Sequence, residues 1–220
     1  MEKETFLALQ KKYADRIEQI RQKAHELHDS VNQTYGGNHP YGFHLDMVVQ
    51  AIRDFGHLVC DNEDDVLPLF FGGYYHDSIE DARLSYNDVK GVARSLMTEE
   101  QAIMGTEIVY ALTNDKGRTR AERAGEKYYR GIRETPYAPF VKLCDRYANI
   151  SYTCSADSGR SDRMRLVYKG EMPHFLESIN PHSKDKRFHI PVELIEALAN
   201  VLLDDMEREE KMYGEWFVCD

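Results

Sequence analysis

Apolar residues recur three and four positions apart along most of this chain. Between positions 5 and 29 they fall at Phe6, Leu7, Leu9, Tyr13, Ile17, Ile20, Ala24 and Leu27. That is the stripe of one long amphipathic helix. The stretch QTYGGNHPYG (33–42), with three glycines and a proline, ends it. A second helix is expected from about His44 to Val59. DNEDD (61–65) reads as a turn and a helix start, its acids suited to a helix N-terminus. VLPLFFGGYYHDSIEDA (66–82) is apolar up to His76 and polar after it. This predicts a helix over 65–76, followed by a short helix or turn. Further helices are expected at 86–94, 99–113, 119–132, 137–154, 160–179 and 191–210. Two polar loops, SADSGRSDR (155–163) and NPHSKDKRF (180–188), separate the last of these. No strand period, internal repeat or domain linker is visible. The pattern predicts a single all-α domain over residues 1–220, with one or two buried central helices.

Composition narrows the function classes. The 220 residues carry a formal net charge of −10, which disfavours a nucleic-acid-binding surface. A small phosphorylated ligand remains compatible, because local charge decides binding in a pocket. No apolar run is long enough to span a bilayer, and the first residues lack an apolar signal-peptide core. A cytoplasmic location without membrane contact is expected. Cys60, Cys144, Cys154 and Cys219 form no tight metal-ligating pattern, so free thiols are expected.

One segment departs from the acidic whole. NDKGRTRAERAGEKYYRGIR (114–133) holds seven Lys and Arg residues against Asp115, Glu122 and Glu126. Arg123, Lys127 and Arg130 follow helical spacing and are expected to share one face. That face could receive a phosphorylated substrate, or serve as a solvated or subunit-contacting surface; a homo-oligomer is a further expectation. Lys142 and Arg146, flanking Asp145, are candidates to reach a pocket. His39 reads as a loop histidine. Trp216 and Phe217, in the charged tail, are expected to dock on the body or on a second subunit.

YYHDSIEDA (74–82) concentrates His76, Asp77, Glu80 and Asp81 in six positions. On a helix His76 stands above Glu80, and Asp77 above Asp81. Taken alone this is an acidic helix start with a hydrogen-bonded histidine. Two further features point to a cation. His44 stands directly before an apolar helix, and Asp145 lies inside the largely apolar stretch VKLCDRYANI (141–150). A buried aspartate needs a cation or donors; Arg146 is one such donor. Imidazoles with carboxylates make a mixed N/O set suited to Mn, Fe or Zn.

The ordered set His44, His76-Asp77, Asp145 resembles the H…HD…D pattern of HD-domain phosphohydrolases. His76-Asp77-Ser78-Ile79-Glu80-Asp81 resembles the HDxxED motif of the RelA/SpoT-type (p)ppGpp hydrolases, especially their small hydrolase-only relatives. The resemblance covers about residues 8–178 and leaves a helical C-terminal extension. It implies an HD-domain helical bundle holding one metal, usually Mn2+, with Fe, Zn, Co, Ni or Mg as alternatives. His44, His76, Asp77 and Asp145 would be ligands. Glu80 and Asp81 would handle the attacking water as catalytic acids. Asn149 would help hold the nucleotide or sugar. The implied reaction removes pyrophosphate from the 3′ position of guanosine tetra- or pentaphosphate. Residues 28–44 carry no Arg or Lys where that family commonly has an Arg-Arg-Lys-Asp-like segment. Two alternatives therefore stay open: an HD-domain nucleotide phosphatase with another substrate, and a non-catalytic nucleotide-binding regulatory protein.

Overall fold

The computed structural model describes residues 1–114, 117–155 and 162–216, without the side chains of 120, 121, 162, 163 and 206–216. Most of the expected loop at 155–163, the side chain of Trp216, and all of Lys116, Phe217 and Cys219 lie outside the described residues. The helices run in order α1 (Lys3–Lys12), α2 (Ala14–Ser30), α3 (Gly42–Phe55), α4 (Val66–Tyr75), α5 (Tyr86–Arg94), α6 (Glu99–Leu112), α7 (Arg120–Arg123), α8 (Glu126–Glu134), α9 (Ala138–Thr153), α10 (Asp162–Ile179) and α11 (Val192–Trp216). The result is an all-α bundle. None of the described helices is long and apolar enough to cross a membrane.

Every residue of α4 is buried. A helix without a polar side must lie at the centre, and α6, α3 and α2 surround it. Gly72 and Gly73 permit that closeness. A Cβ on Gly72 would stand 2.5 Å from Ile108 Cγ2, and one on Gly73 2.4 Å from Ile52 Cδ1. Phe70, Phe71, Leu69, Ile52, Leu45 and Phe140 fill the space around α4 with almost no exposure. Burying each such side chain contributes about 1.5–3 kcal/mol.

Local capping explains the sharpest boundaries. Ser85 and Asp88 form a capping box at the start of α5, and Thr98 and Gln101 form another at α6. Two hydrogen bonds per box satisfy donors that a helix N-terminus otherwise leaves open. The start of α9 is fixed differently. Tyr137 adopts left-handed backbone geometry, φ 66°, just before it. Its fully buried ring sends the hydroxyl to Asp65 Oδ2 at 2.5 Å, and its N–H donates to Arg187 O. These contacts hold a conformation that costs a bulky residue about 1–3 kcal/mol. Asp145 lies two turns further along.

Three expectations are corrected. The long first helix is two helices, because the chain leaves helical geometry at Tyr13, φ −99° and ψ 13°. The helix expected at 119–132 is likewise split, with Gly125 extended between α7 and α8. A short antiparallel hairpin also forms, β1 (Thr34–Tyr35) with β2 (His39–Pro40). Gly36 and Gly37 turn it with φ of 59° and 87°, geometry that glycine adopts without steric cost.

Candidate metal centre

Three elements bring the site together. α3 carries His44 in its first turn, α4 ends at Tyr75 immediately before His76 and Asp77, and α9 carries Asp145. The packing of α3 against α4 and α9 makes their side chains meet. After α4 the chain keeps one helix-like turn, in which Asp81 N–H donates to Asp77 O at 2.8 Å. That turn preserves the four-residue relation between Asp77 and Asp81 although the regular helix has ended.

His44 Nε2 stands 3.3 Å from His76 Nε2 and 3.3 Å from Asp145 Oδ1. His76 Nε2 lies 3.0 Å from Asp77 Oδ2 and 3.7 Å from Asp145 Oδ1. Ligand atoms of His44, His76 and Asp145, all buried, lie within 4.8 Å of one another. Asp77 Oδ2 lies 3.8 Å from His44 Nε2.

The donor count tests whether a cation fits. His76 Nδ1 lies 2.8 Å from Gly73 O, so it carries a proton and donates it. A neutral His76 then offers only a lone pair at Nε2. That lone pair faces two carboxylates and a second imidazole, an arrangement that repels unless a proton or cation lies between. Burial lowers the His76 pKa, but Asp77 and Asp145 outweigh it and hold the ring at about 9. Burial also opposes ionisation of Asp77, yet His76 holds that carboxyl well below its ordinary value. The two imidazole nitrogens and the Asp145 carboxylate therefore fit a divalent ion of borderline or hard character, with Asp77 beside them.

Surrounding residues fix the ligand directions. Asn149 Nδ2 donates to Asp145 Oδ1 at 2.6 Å, and Lys142 Nζ donates to Asp145 Oδ2 at 2.9 Å. Burial disfavours the Lys142 charge, but Asp145 prevails and raises its pKa. Tyr41 donates its hydroxyl to Asp77 Oδ2. Tyr35, on the hairpin, stacks on His44 with ring centres 4.7 Å apart and donates to Asn149 Oδ1 at 3.0 Å. Such outer contacts orient ligands and set their basicity.

The cluster opens into a cavity of about 560 Å³, a size that takes a small molecule. Glu80 and Asp81 stand at its exposed edge. Asn114 Nδ2 holds Glu80, 2.8 Å from Oε2. Partial burial and nearby Asp77 raise the Asp81 pKa, against a lowering by the Gln33 hydrogen bond. Tyr128 and Tyr129 of α8 and Tyr168 and Phe175 of α10 add aromatic surface to its lining.

Of the candidate substrate residues, Asn149, Lys142, Arg146 and Arg123 line this cavity, whereas Lys127 and Arg130 do not. The shared basic face is corrected by the break at Gly125, which places Arg123 on α7 and the other two on α8. Arg146 does not serve Asp145 either. Its Nη1 donates to Glu171 Oε2 at 2.9 Å, and its guanidinium lies over Tyr168 and Phe175 at 4.7 and 4.3 Å. His39 stacks on Phe43 and lies outside the cavity lining. Sequence reasoning did not find Gln33, Asn114, Tyr35 or Glu171. Their partners at the cavity are 25 to 114 positions away, and no local signal marks them.

No protein-family model matches the chain, and no curated protein matches it either. Fold and site define an all-α domain with a buried His/His/Asp cluster able to coordinate a metal, an arrangement consistent with an HD-like fold.

Proposed function

We propose that this protein is a metal-dependent phosphohydrolase acting on a small phosphorylated nucleotide, with guanosine-3′,5′-bis(diphosphate) as the first candidate and its 3′-pyrophosphate as the group removed. The observation that carries the reading is the convergence of His44, His76, Asp77 and Asp145 beneath a cavity edged by Glu80 and Asp81. His44, His76, Asp77 and Asp145 would hold the ion, with Mn2+ the first expectation. When bound, a divalent ion supplies Lewis acidity toward water and a phosphoryl oxygen.

The chain's own groups supply the rest. Asp81, with its raised pKa, is suited to accept a proton from the attacking water. The water oxygen forms the new P–O bond, the ester P–O bond breaks, and the leaving oxygen takes a proton from solvent. Glu80, held by Asn114, orients that water from the other side of the edge. Lys142 and Arg123 offer positive charge along the cavity, and the tyrosines of α8 offer a surface for a base.

A second reading keeps the metal and changes the substrate to a nucleotide with fewer phosphates. It is favoured by the ion pairs of Lys142 with Asp145 and of Arg146 with Glu171, which already engage two of the cavity's cations. The absence of Arg and Lys from residues 28–44 favours it as well. A nucleotide panel scored separately for pyrophosphate and orthophosphate separates the two. Pyrophosphate release supports the first reading, and orthophosphate release alone replaces it with the second. Tight nucleotide binding without either product, across several added metals, would mark a regulatory protein instead.

A further inference from the structure

One chain of hydrogen bonds reaches the cavity edge from behind. His28, near the end of α2, is fully buried. Its Nδ1 lies 2.7 Å from Gln33 Oε1, and Gln33 Nε2 lies 2.5 Å from Asp81 Oδ2. An ionised carboxylate only accepts, so the Gln33 amide nitrogen must face Asp81 and its carbonyl must face His28. The proton between His28 and Gln33 therefore belongs to His28 Nδ1. His28 Nε2 is buried without a partner, as a neutral ring in that tautomer allows. Reversing the amide would set oxygen against oxygen at Asp81. The chain thus has one direction, from His28 through Gln33 to the carboxylate.

The same histidine supports a second arm. Its ring stacks on Tyr41 at 4.7 Å between centres, and Tyr41 donates to Asp77. Neither His28 nor Gln33 lines the cavity. A substrate in the cavity would therefore meet Asp81, and not Gln33 or His28. Asp81 is itself exposed, so without a fixed donor its side chain would sample several rotamers.

The geometry points to Gln33, locked by His28, as a positioning residue that holds the Asp81 carboxylate in its working orientation for hydrolysis. This inference rests on the phosphohydrolase reading above. Residues that orient a working group without touching substrate affect turnover and leave ground-state binding alone.

The test is Gln33→Met, which keeps the side-chain length and removes both hydrogen bonds. It should lower kcat by about ten- to hundredfold, the range for loss of such outer partners, with KM and metal content unchanged. His28→Phe, which keeps a ring against Tyr41, should reproduce the same split. In an Asp81→Asn background Gln33→Met should add no further loss, because its effect runs through Asp81. Nitrogen-15 spectra of the substrate-free wild type should place the His28 proton on Nδ1. Wild-type kcat in both variants, a loss that adds fully to Asp81→Asn, or a proton on Nε2 would overturn the inference. Failure of the wild type to hydrolyse any nucleotide, with the His28 proton on Nδ1, would overturn the phosphohydrolase reading and with it the catalytic role of Gln33. The tautomer is read without turnover, so the two failures are distinguishable.

Discussion

The Nε2 atoms of His44 and His76 face each other at 3.3 Å, although 32 residues separate them in the chain. Two imidazoles placed this way, with Asp77 and Asp145 beside them, are poorly satisfied by one another. The arrangement makes chemical sense around a shared cation.

Ligands and edge carboxylates should separate in their phenotypes. His76→Ala and Asp77→Asn should lose both metal and turnover, because each removes an atom facing the centre. Glu80→Gln should keep its metal, since Glu80 is held by Asn114 at the cavity edge. Its turnover should fall by about 10²-fold, the scale expected when a group that positions a reactant is lost. Metal analysis alongside initial rates on the purified variants checks the contrast. Equal metal loss in Glu80→Gln would contradict the division of roles.

The hairpin should matter to the site despite carrying none of the four candidate ligands. Gly36 has φ 59°, and a Cβ there would stand 1.9 Å from the Tyr152 hydroxyl oxygen. Gly36→Ala should destabilise the fold by about 1–2 kcal/mol from backbone geometry alone. It should also loosen Tyr35 from His44 and weaken metal binding. Chemical denaturation and metal titration of the variant read the two effects. Unchanged metal affinity would show that the Tyr35 stack does not shape the centre.

Acid should act on a network away from the cavity. Asp46 accepts from Arg21 Nε at 2.8 Å and Nη2 at 2.9 Å, and its Oδ1 lies 3.2 Å from His25 Nε2. Burial pushes its pKa up, but His25 and Arg21 outweigh this and hold it at about 2. A folded-state value below the unfolded one, about 3.9, means that ionised Asp46 stabilises the fold above that pH. The contribution disappears as pH falls through about 2. Asp46→Asn should therefore be less stable than wild type near neutrality. The difference in urea midpoint should shrink as pH falls from about 4 to about 2. A constant difference across that window would contradict the assignment.

Much of the helical order was legible because it is written locally. The start of α5 follows from the Ser85 and Asp88 capping box, and the start of α6 from Thr98 and Gln101. The burial of α4 follows from a run with no polar side until His76. The break at Tyr13 was hidden because the apolar stripe continues through it, with Leu9 and Ile17 both buried. The break at Gly125 was hidden because basic spacing suggested one face, and spacing says nothing of a single extended residue. At the site, His44, the His76-Asp77 pair and Asp145 stood out by residue type in apolar surroundings. Lys142 and Asn149 were visible as neighbours of Asp145, but their hydrogen bonds to its carboxylate depend on rotamers that sequence does not fix. Gln33 and Asn114 are polar residues of ordinary appearance whose partners only the folded chain supplies.

The most direct measurement is a calorimetric titration of the metal-free chain with Mn2+, repeated with Asp145→Asn, together with the melting temperature at each endpoint. A ligand that binds only the folded state raises its stability by mass action, by about 2.7 kcal/mol at a hundredfold excess over Kd. One ion per chain and a higher melting temperature are expected, with loss of both in Asp145→Asn. No binding and no change in melting temperature with Mn2+, Fe2+, Zn2+, Co2+, Ni2+ or Mg2+ would contradict it, leaving His44, His76, Asp77 and Asp145 as a proton-shared core of a helical bundle.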